Sequence, residues 1–206
     1  MEILKKVLFI GAILMSTDFS YAQNEAKLQK AFSDSYNQEY SKKYSDAINS
    51  INSYYNENSY EINLRLGWLE YLNKNYNQSL NYYQKALNLK PYAVEAKLGI
   101  VKPLSVLEYW DRVMSQYDEI LKIDPQNYTA NYWAGVILYN RKKYEQASKI
   151  FEKIVNLYPF DYDGNQMLAW SYLNIGRMND AKVLFQKALL IRPGDSSCLD
   201  GLSRIK

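Results

Sequence analysis

One pattern of apolar positions recurs along the chain with a period close to 34 residues. An aromatic residue or methionine begins the pattern, a mostly small residue follows three positions later, and a large apolar residue follows four positions after that. These columns are Tyr44, Tyr76, Trp110, Tyr144 and Met178; Ala47, Ser79, Val113, Ala147 and Ala181; and Ile51, Tyr83, Tyr117, Phe151 and Phe185. Spacings of three and four residues lie on one face of an α-helix. Each unit therefore contains a predicted amphipathic helix.

A fourth column and a set of prolines complete the unit. Three residues further on, the same predicted helical face continues through Tyr54, Ala86, Ile120, Ile154 and Ala188. Four of the five units then end at a proline, which cannot continue a helix: Pro91, Pro125, Pro159 and Pro193. In the clearest unit the pattern predicts a first helix over 128–141 and a second over 144–157. Such a period is typical of a solenoid, in which stacked units bury each other's apolar faces.

The pattern resembles the tetratricopeptide repeat, a helix–turn–helix family. Three units carry the resemblance, through Leu66, Gly67, Tyr76, Tyr83, Ala86 and Pro91; Ala134, Gly135, Tyr144, Ala147, Phe151 and Pro159; and Leu168, Ala169, Tyr172, Gly176, Ala181, Phe185, Ala188 and Pro193. The resemblance implies an all-α, right-handed superhelical solenoid of about five units, at 28–59, 60–93, 94–127, 128–161 and 162–195.

The last eleven residues, 196–206, are predicted to form a short capping helix. Terminal caps cover the apolar end of a solenoid and keep it from associating. Asp195 or Ser196 is a suitable N-cap, because either side chain can accept a hydrogen bond from the first helical turn. The apolar side of this helix is predicted to contain Leu199, Leu202 and Ile205.

The first 22 residues have the pattern of a secretory signal peptide. Two lysines precede a run of nine apolar residues at 7–15, and the small residues Ser20 and Ala22 precede a cleavage point before Gln23. The alternative is a membrane anchor, but a spanning helix needs about 20 apolar residues. The sequence therefore predicts an exported, periplasmic protein that is not inserted in a membrane after cleavage. Its mature chain would be the solenoid at 23–206, and secretion from the cell is a further possibility.

The sequence lacks the residues and motifs on which most enzymes depend. The chain has no histidine, which is the commonest general base and metal ligand. It also has no glycine-rich phosphate loop and no serine nucleophile motif. Acidic pairs such as Glu25 with Glu39 and Asp161 with Asp163 are interpreted as solvated carboxylates. The sequence therefore predicts that the protein is not an enzyme and uses no cofactor or metal.

Charge and cysteine content narrow the classes of partner. The formal net charge is +3, from 25 basic and 22 acidic residues, a balance that does not favour a nucleic-acid surface. Cys198 is the only cysteine and cannot form a disulfide within the chain. It is predicted to be a small buried residue, with pairing between two chains as the alternative.

The resemblance also implies a binding surface, because the first helices of such units line the inner face of the solenoid. Aromatic residues are frequent on the predicted inner faces, where they bury much area at a low entropic cost. The candidate ligand-binding residues are Arg65, Trp68, Tyr71, Lys102, Tyr132, Tyr139 and Trp170. Two alternatives stay open: Trp68 and Trp170 pack between units, and Arg65 and Lys102 are solvated or ion-paired rather than facing an acidic ligand.

Two functions fit these features. The first is a non-catalytic scaffold of the bacterial cell envelope, expected to be a monomer, that binds a peptide or protein segment. The second is a carbohydrate or peptidoglycan binder in which Trp68, Tyr71, Tyr132 and Trp170 stack on sugar rings. The lysine–asparagine pair with which some tetratricopeptide domains grip a terminal carboxylate has no match here, since those positions carry Leu64 with Trp68 and Tyr132 with Val136.

Overall fold

The computed structural model of this protein describes residues 23–205, so the predicted signal peptide at 1–22 lies outside the described residues. Between 23 and 205 the chain forms eleven α-helices and no strand. Their bounds are α1 at 23–40, α2 Tyr44–Asn52, α3 Tyr60–Leu72, α4 Tyr76–Leu89, α5 Val94–Val106, α6 Trp110–Ile123, α7 Tyr128–Asn140, α8 Tyr144–Leu157, α9 Tyr162–Asn174, α10 Met178–Ile191 and α11 Ser196–Ser203.

The helices form five pairs, α1–α2 to α9–α10, followed by the single helix α11. This confirms the predicted all-α repeat fold with a C-terminal capping helix. The described chain groups into two compact units, 23–103 and 104–205, whose boundary falls at Pro103 within α5. They are unit 1 and unit 2 below. No helix within 23–205 is both long and apolar enough to cross a bilayer.

The predicted columns form the core of both units. The small column Ala47, Ser79, Val113, Ala147 and Ala181 is at most 1% exposed, and the large column Ile51, Tyr83, Tyr117, Phe151 and Phe185 is at most 5% exposed. Glycine allows the close contact between the helices of a pair. A Cβ atom at Gly67 would lie 2.9 Å from Cγ of Tyr83, and one at Gly135 would lie 2.7 Å from Cζ of Phe151.

The turn inside each pair ends the first helix with a left-handed residue. This residue has a φ of 60° at Lys42, 65° at Lys74, 59° at Glu108, 58° at Lys142 and 83° at Gly176. The next N–H donates to the carbonyl five residues back, as from Lys43 to Gln38 at 2.8 Å. This is a Schellman C-cap, in which glycine is the least strained residue. Four of the five turns carry a lysine or glutamate there instead, so the sequence signal for this turn is weak.

Two residues depart from their predicted places. Tyr54 does not continue the helical face of the first pair, because α2 ends at Asn52 and the side chain is 40% exposed. Helix α2 has nine residues, whereas the second helices of the other pairs have 14, so it stops before the fourth column. Leu199 is 49% exposed rather than buried. A helix turns by about 100° per residue, and Cys198 and Gly201 define the buried side of α11.

Helix α11 docks as the first helix of a further pair would. Asp195 caps it, accepting a hydrogen bond from the N–H of Cys198 at 2.9 Å, and a Cβ atom at Gly201 would overlap the ring of Phe185. Cys198 is fully buried, which confirms that it is a small core residue. Burial and a hydrogen bond with Asp195 raise the pKa of its thiol to about 11.

Candidate ligand-binding cleft

Unit 1 contains a cleft of about 920 Å³ between α1 and α3. Its apolar walls are two ridges with a spacing of four residues, Phe32, Tyr36 and Tyr40 on α1 and Leu64, Trp68 and Leu72 on α3. Side chains four residues apart lie one above the other on a helix, so each ridge runs along its helix. The charged residues of the lining are Glu39, Lys42, Glu61, Arg65, Lys90 and Glu95.

Arg65 joins the two walls of the cleft. Its side chain is only 6% exposed, forms an ion pair with Glu39, and donates from Nε and Nη2 to Oγ of Ser35 at 3.1 and 3.0 Å. The guanidinium carbon also lies 4.0 Å from the centroid of the Tyr36 ring. Buried charges need partners of this kind, because their desolvation is costly. Arg65 therefore lines the cleft as an internally paired cation.

Trp68 lies half-buried at the centre of the α3 ridge. Its indole Nε1 donates to Oε1 of Glu39 at 2.6 Å, and its ring stacks on Tyr71 with centroids 5.7 Å apart. The ammonium of Lys102 lies 5.5 Å from the centroid of the indole, within the range of a cation–π interaction. The structure thus brings together Arg65, Trp68, Tyr71 and Lys102, the four candidate residues of unit 1.

The end of the cleft at the start of α3 is held by internal pairs. The hydroxyl of Tyr60 donates to Oε1 of Glu95 at 2.7 Å, and burial together with this carboxylate raises the pKa of Tyr60 above its usual value. The ammonium of Lys90 lies 3.2 Å from Oε1 of Glu61. A backbone hydrogen bond, and to a smaller extent Lys90, lower the pKa of Glu61. Both carboxylates thus have donors within the protein.

The remaining candidates lie in unit 2, and two of them are tyrosines of α7. Tyr132 stacks on Tyr128 with a centroid distance of 6.0 Å and meets Phe151 edge-on at 6.2 Å. Burial raises its pKa. Tyr139 packs edge-on against Tyr144 at 5.1 Å, and its hydroxyl accepts a hydrogen bond from Asn174 at 3.1 Å. Both rings are half-buried among other side chains of unit 2.

Trp170 of α9 packs against the C-terminal helix. Its indole Nε1 donates to Oγ of Ser197 at 3.0 Å, and its ring meets Phe185 edge-on at 5.2 Å. The guanidinium carbon of Arg204 lies 5.3 Å from the ring centroid. These contacts favour the alternative interpretation of Trp170, in which it packs between repeats.

None of the seven candidate residues belongs to α1, which supplies one wall of the cleft. Glu39 is not a solvated carboxylate, because its side chain is 24% exposed and binds both Arg65 and Trp68. Tyr36 and Tyr40, which are 55% and 92% exposed, form the outer part of the cleft. The spacing of Phe32, Tyr36 and Tyr40 was the available signal, since it predicts an aromatic stripe on one side of a helix. Within 23–205 no group of three or more Cys, Asp or Glu side chains is placed to hold a metal ion.

Comparisons with known proteins agree with this helix-pair structure. A family model described as tetratricopeptide repeat matches residues 129–161, and a second with the same description matches 60–92 and 162–195. No curated protein matches the sequence.

Among solved structures, a tetratricopeptide repeat protein from Parabacteroides merdae is similar, with a TM-score of 0.75 and 16% identity over 87% of this chain and 72% of that one. MamA from AMB-1 has a TM-score of 0.70 and 19% identity over 86% of this chain and 96% of that one. A MamA RS-1 double mutant has a TM-score of 0.72 and 16% identity over 83% of this chain and 97% of that one. At such identities these likenesses establish the fold alone. Together with the matched repeats, they show that the chain belongs to the tetratricopeptide repeat family, a family of protein-interaction scaffolds.

Proposed function

We propose that this protein is an exported, non-catalytic scaffold of the bacterial cell envelope and binds a peptide or protein segment in the α1–α3 cleft. The observation that carries the proposal is the pair of apolar ridges that line the cleft, with Tyr36 and Tyr40 more than half exposed. Aromatic side chains at the centre of an interface supply much of the binding energy of protein complexes. Both tyrosines keep more than half of their surface exposed and are available for a partner.

The size and chemistry of the cleft suit a segment of polypeptide. Its volume of about 920 Å³ is at the upper end of the roughly 300–1,000 Å³ typical of small-ligand pockets. Ridges with a four-residue spacing also match the apolar stripe of an amphipathic helix or the alternate side chains of an extended chain. The ion pair between Lys90 and Glu61 lines the cleft beside the start of α3.

A cleft variant with a matched control tests the proposal. Tyr36→Ala combined with Tyr40→Ala removes the exposed aromatic wall, while Tyr92→Ala removes a tyrosine that is 80% exposed in unit 1 and lies outside the cleft lining. The mature protein and both variants are used to capture partners from an envelope fraction. We expect the cleft variant alone to lose the captured protein. Its melting temperature should fall slightly, because Tyr36 also contacts the guanidinium of Arg65, and that of the Tyr92→Ala control should not change.

Two results would overturn this proposal. Capture that survives in the Tyr36→Ala and Tyr40→Ala variant places the binding surface elsewhere. Binding to purified peptidoglycan or oligosaccharide, lost in the same variant and with no captured protein, favours the carbohydrate function instead.

Export is tested separately. The residues before Gln23 support cleavage by signal peptidase, and the mature protein is then expected to begin at Gln23 and to be recovered from the periplasm as a monomer. Mass spectrometry of the N-terminal peptide and light scattering of the purified protein measure these two properties. Retention of Met1 on protein from the envelope contradicts cleavage.

A further inference from the structure

We propose that the α1–α3 cleft selects segments in which internal acidic residues flank an aromatic or aliphatic anchor, with the ammonium groups of Lys42 and Lys102 contacting the acidic side chains. This inference rests on the proposed function, because it names the chemistry of the segment bound in the same cleft. It follows from which charges around the cleft are paired within the protein and which are not.

Every carboxylate that lines the cleft has a donor within unit 1. Glu39 binds the guanidinium of Arg65 and the indole N–H of Trp68. The other two carboxylates are held at the start of α3 and α5: Glu61 pairs with Lys90, and Glu95 accepts from the hydroxyl of Tyr60. Two of the three lining carboxylates are therefore neutralised by a cation, and the third, Glu95, is held by the neutral hydroxyl of Tyr60.

Two exposed lysines at the cleft, Lys42 and Lys102, form no ion pair with a carboxylate within 23–205. Lys42 lines it from the left-handed turn after α1, and Lys102 of α5 faces the ring of Trp68. The lining cations Arg65 and Lys90, by contrast, are both paired. Against the ammonium groups of Lys42 and Lys102 stands one lining carboxylate without an ion pair within 23–205, Glu95, so the charge left over at the cleft is positive.

This distribution discriminates between ligands of opposite charge. A carboxylate on a bound segment gains a charge-assisted hydrogen bond from either lysine, whereas a lysine or arginine beside Lys42 or Lys102 is repelled by their ammonium groups. Complementary charge around an apolar contact contributes mainly to specificity and to the rate of association. The apolar ridges bind the anchor side chain, and the lysines set the preferred sequence beside it.

The test uses an array of short peptides with amidated C-termini, so that no terminal carboxylate is present. The peptides share an aromatic anchor and carry glutamate, glutamine or lysine at the flanking positions. We expect the mature protein to bind the glutamate set about three- to tenfold more tightly than the glutamine set, the range expected for two partly exposed ion pairs. The lysine set is expected to bind most weakly, and added salt is expected to reduce the differences.

Two double variants show whether these lysines are responsible. Lys42→Gln with Lys102→Gln is expected to abolish the preference, so that the glutamate and glutamine sets bind with equal affinity. Lys27→Gln with Lys74→Gln makes the same change in net charge at exposed positions of unit 1 outside the cleft lining, and Lys74 occupies a left-handed turn like that of Lys42. This control is expected to keep the preference.

The outcomes separate the inference from the proposed function. Equal binding of the three sets, or an equal loss of preference in both double variants, overturns the acidic selectivity. If the glutamine set still binds and that binding needs Tyr36 and Tyr40, the cleft remains a peptide-binding site. If no set binds and an anionic oligosaccharide does, both the inference and the peptide function are wrong.

Discussion

Two tryptophans occupy the same position in their repeats and have different surroundings. Trp68 and Trp170 are each the ninth residue of their first helices, α3 and α9. Each ring faces a cation located 34 residues later, Lys102 at 5.5 Å and Arg204 at 5.3 Å. The indole of Trp68, however, donates backwards along the chain to Glu39, while that of Trp170 donates forwards to Ser197.

The cations also differ in their other contacts. Arg204 is bound to both carboxylate oxygens of Asp200, at 3.2 and 2.7 Å, whereas Lys102 has no carboxylate partner within 23–205. Trp170 packs on Phe185 beneath the C-terminal helix, and Trp68 lines a cleft. The same repeat position therefore stabilises the end of unit 2 and provides a candidate binding surface in unit 1. The neighbouring helices, rather than the repeat position, determine its role.

The largest loss of stability is expected when Glu39, the acceptor of the Trp68 indole N–H, is removed. Glu39→Ala leaves the guanidinium of Arg65 buried without its carboxylate, and we expect the free energy of unfolding to fall by about 3 kcal/mol, the lower end for a broken buried pair, because Glu39 is partly exposed. Asp200→Ala, which breaks the exposed pair with Arg204, is expected to cost less than about 1 kcal/mol. Denaturant unfolding measures both values, and equal losses would contradict the difference between the two sites.

The hydrogen bond from Trp170 to Ser197 depends on the packing of α11 against Phe185, which a larger residue at Gly201 would disturb. Gly201→Ala places a Cβ atom against this fully buried ring, and we expect a loss of about 1–3 kcal/mol. The fluorescence of Trp170 should shift towards that of an exposed indole. Ser203→Ala, on the exposed side of the same helix, is the matched control and should change neither property. An unchanged stability for Gly201→Ala would show that α11 does not pack as described.

The attachment of α11 also depends on its N-cap. Asp195→Ala is expected to cost about 1 kcal/mol at neutral pH, while Asp195→Asn retains an acceptor and most of the stability. Hydrogen bonds from the backbone N–H of Cys198 and from Tyr162 lower the pKa of Asp195 in the folded state. Its contribution is therefore complete above the unfolded pKa of about 4 and is lost as the pH falls through the lower folded pKa.

A pH series of unfolding experiments tests this prediction. The difference in stability between the wild type and Asp195→Ala should shrink as the pH falls below about 4. A difference that stays constant down to the lowest pH at which both proteins fold would argue against a role for the ionised cap.

The smallest loss of stability is expected from replacing the cations that lie over the rings of Trp68 and Trp170. Lys102→Met and Arg204→Met each remove a cation–π contact of about 0.5–1 kcal/mol, and Met retains much of the apolar stem. We expect Arg204→Met to be the slightly more destabilising change, because it also removes the pair with Asp200. Thermal unfolding compares the two variants. A clearly larger loss for Lys102→Met would mean that Lys102 supports the fold of unit 1.

The repeat fold was predictable because its core is periodic. Helix pairs pack through residues at regular spacings, so the column of large residues that includes Phe151 and Phe185 shows directly where the second helices lie. The exceptions have local causes: Tyr54 follows a shortened helix, and Leu199 lies beside the buried face of α11 rather than on it.

The candidate site was only partly predictable, because its polar contacts join different helices. Arg65, Trp68, Tyr71 and Lys102 were identified from helical faces. The pairing of Arg65 with Glu39 spans 26 residues of sequence, and no local spacing indicates which carboxylate meets which cation. For the same reason the sequence does not distinguish the surroundings of Trp68 from those of Trp170.

The left-handed turns have a consequence for proteolysis. Lys42, Lys74 and Lys142 are exposed trypsin sites at the point where the chain reverses inside a pair, and Glu108 offers the equivalent site to a glutamate-specific protease. Exposed turns are preferred sites of nicking, and these recur at steps of 32 or 34 residues. Brief digestion would therefore cut the array into a ladder of fragments that differ by one repeat, and the order in which the bands appear would show which turn opens first.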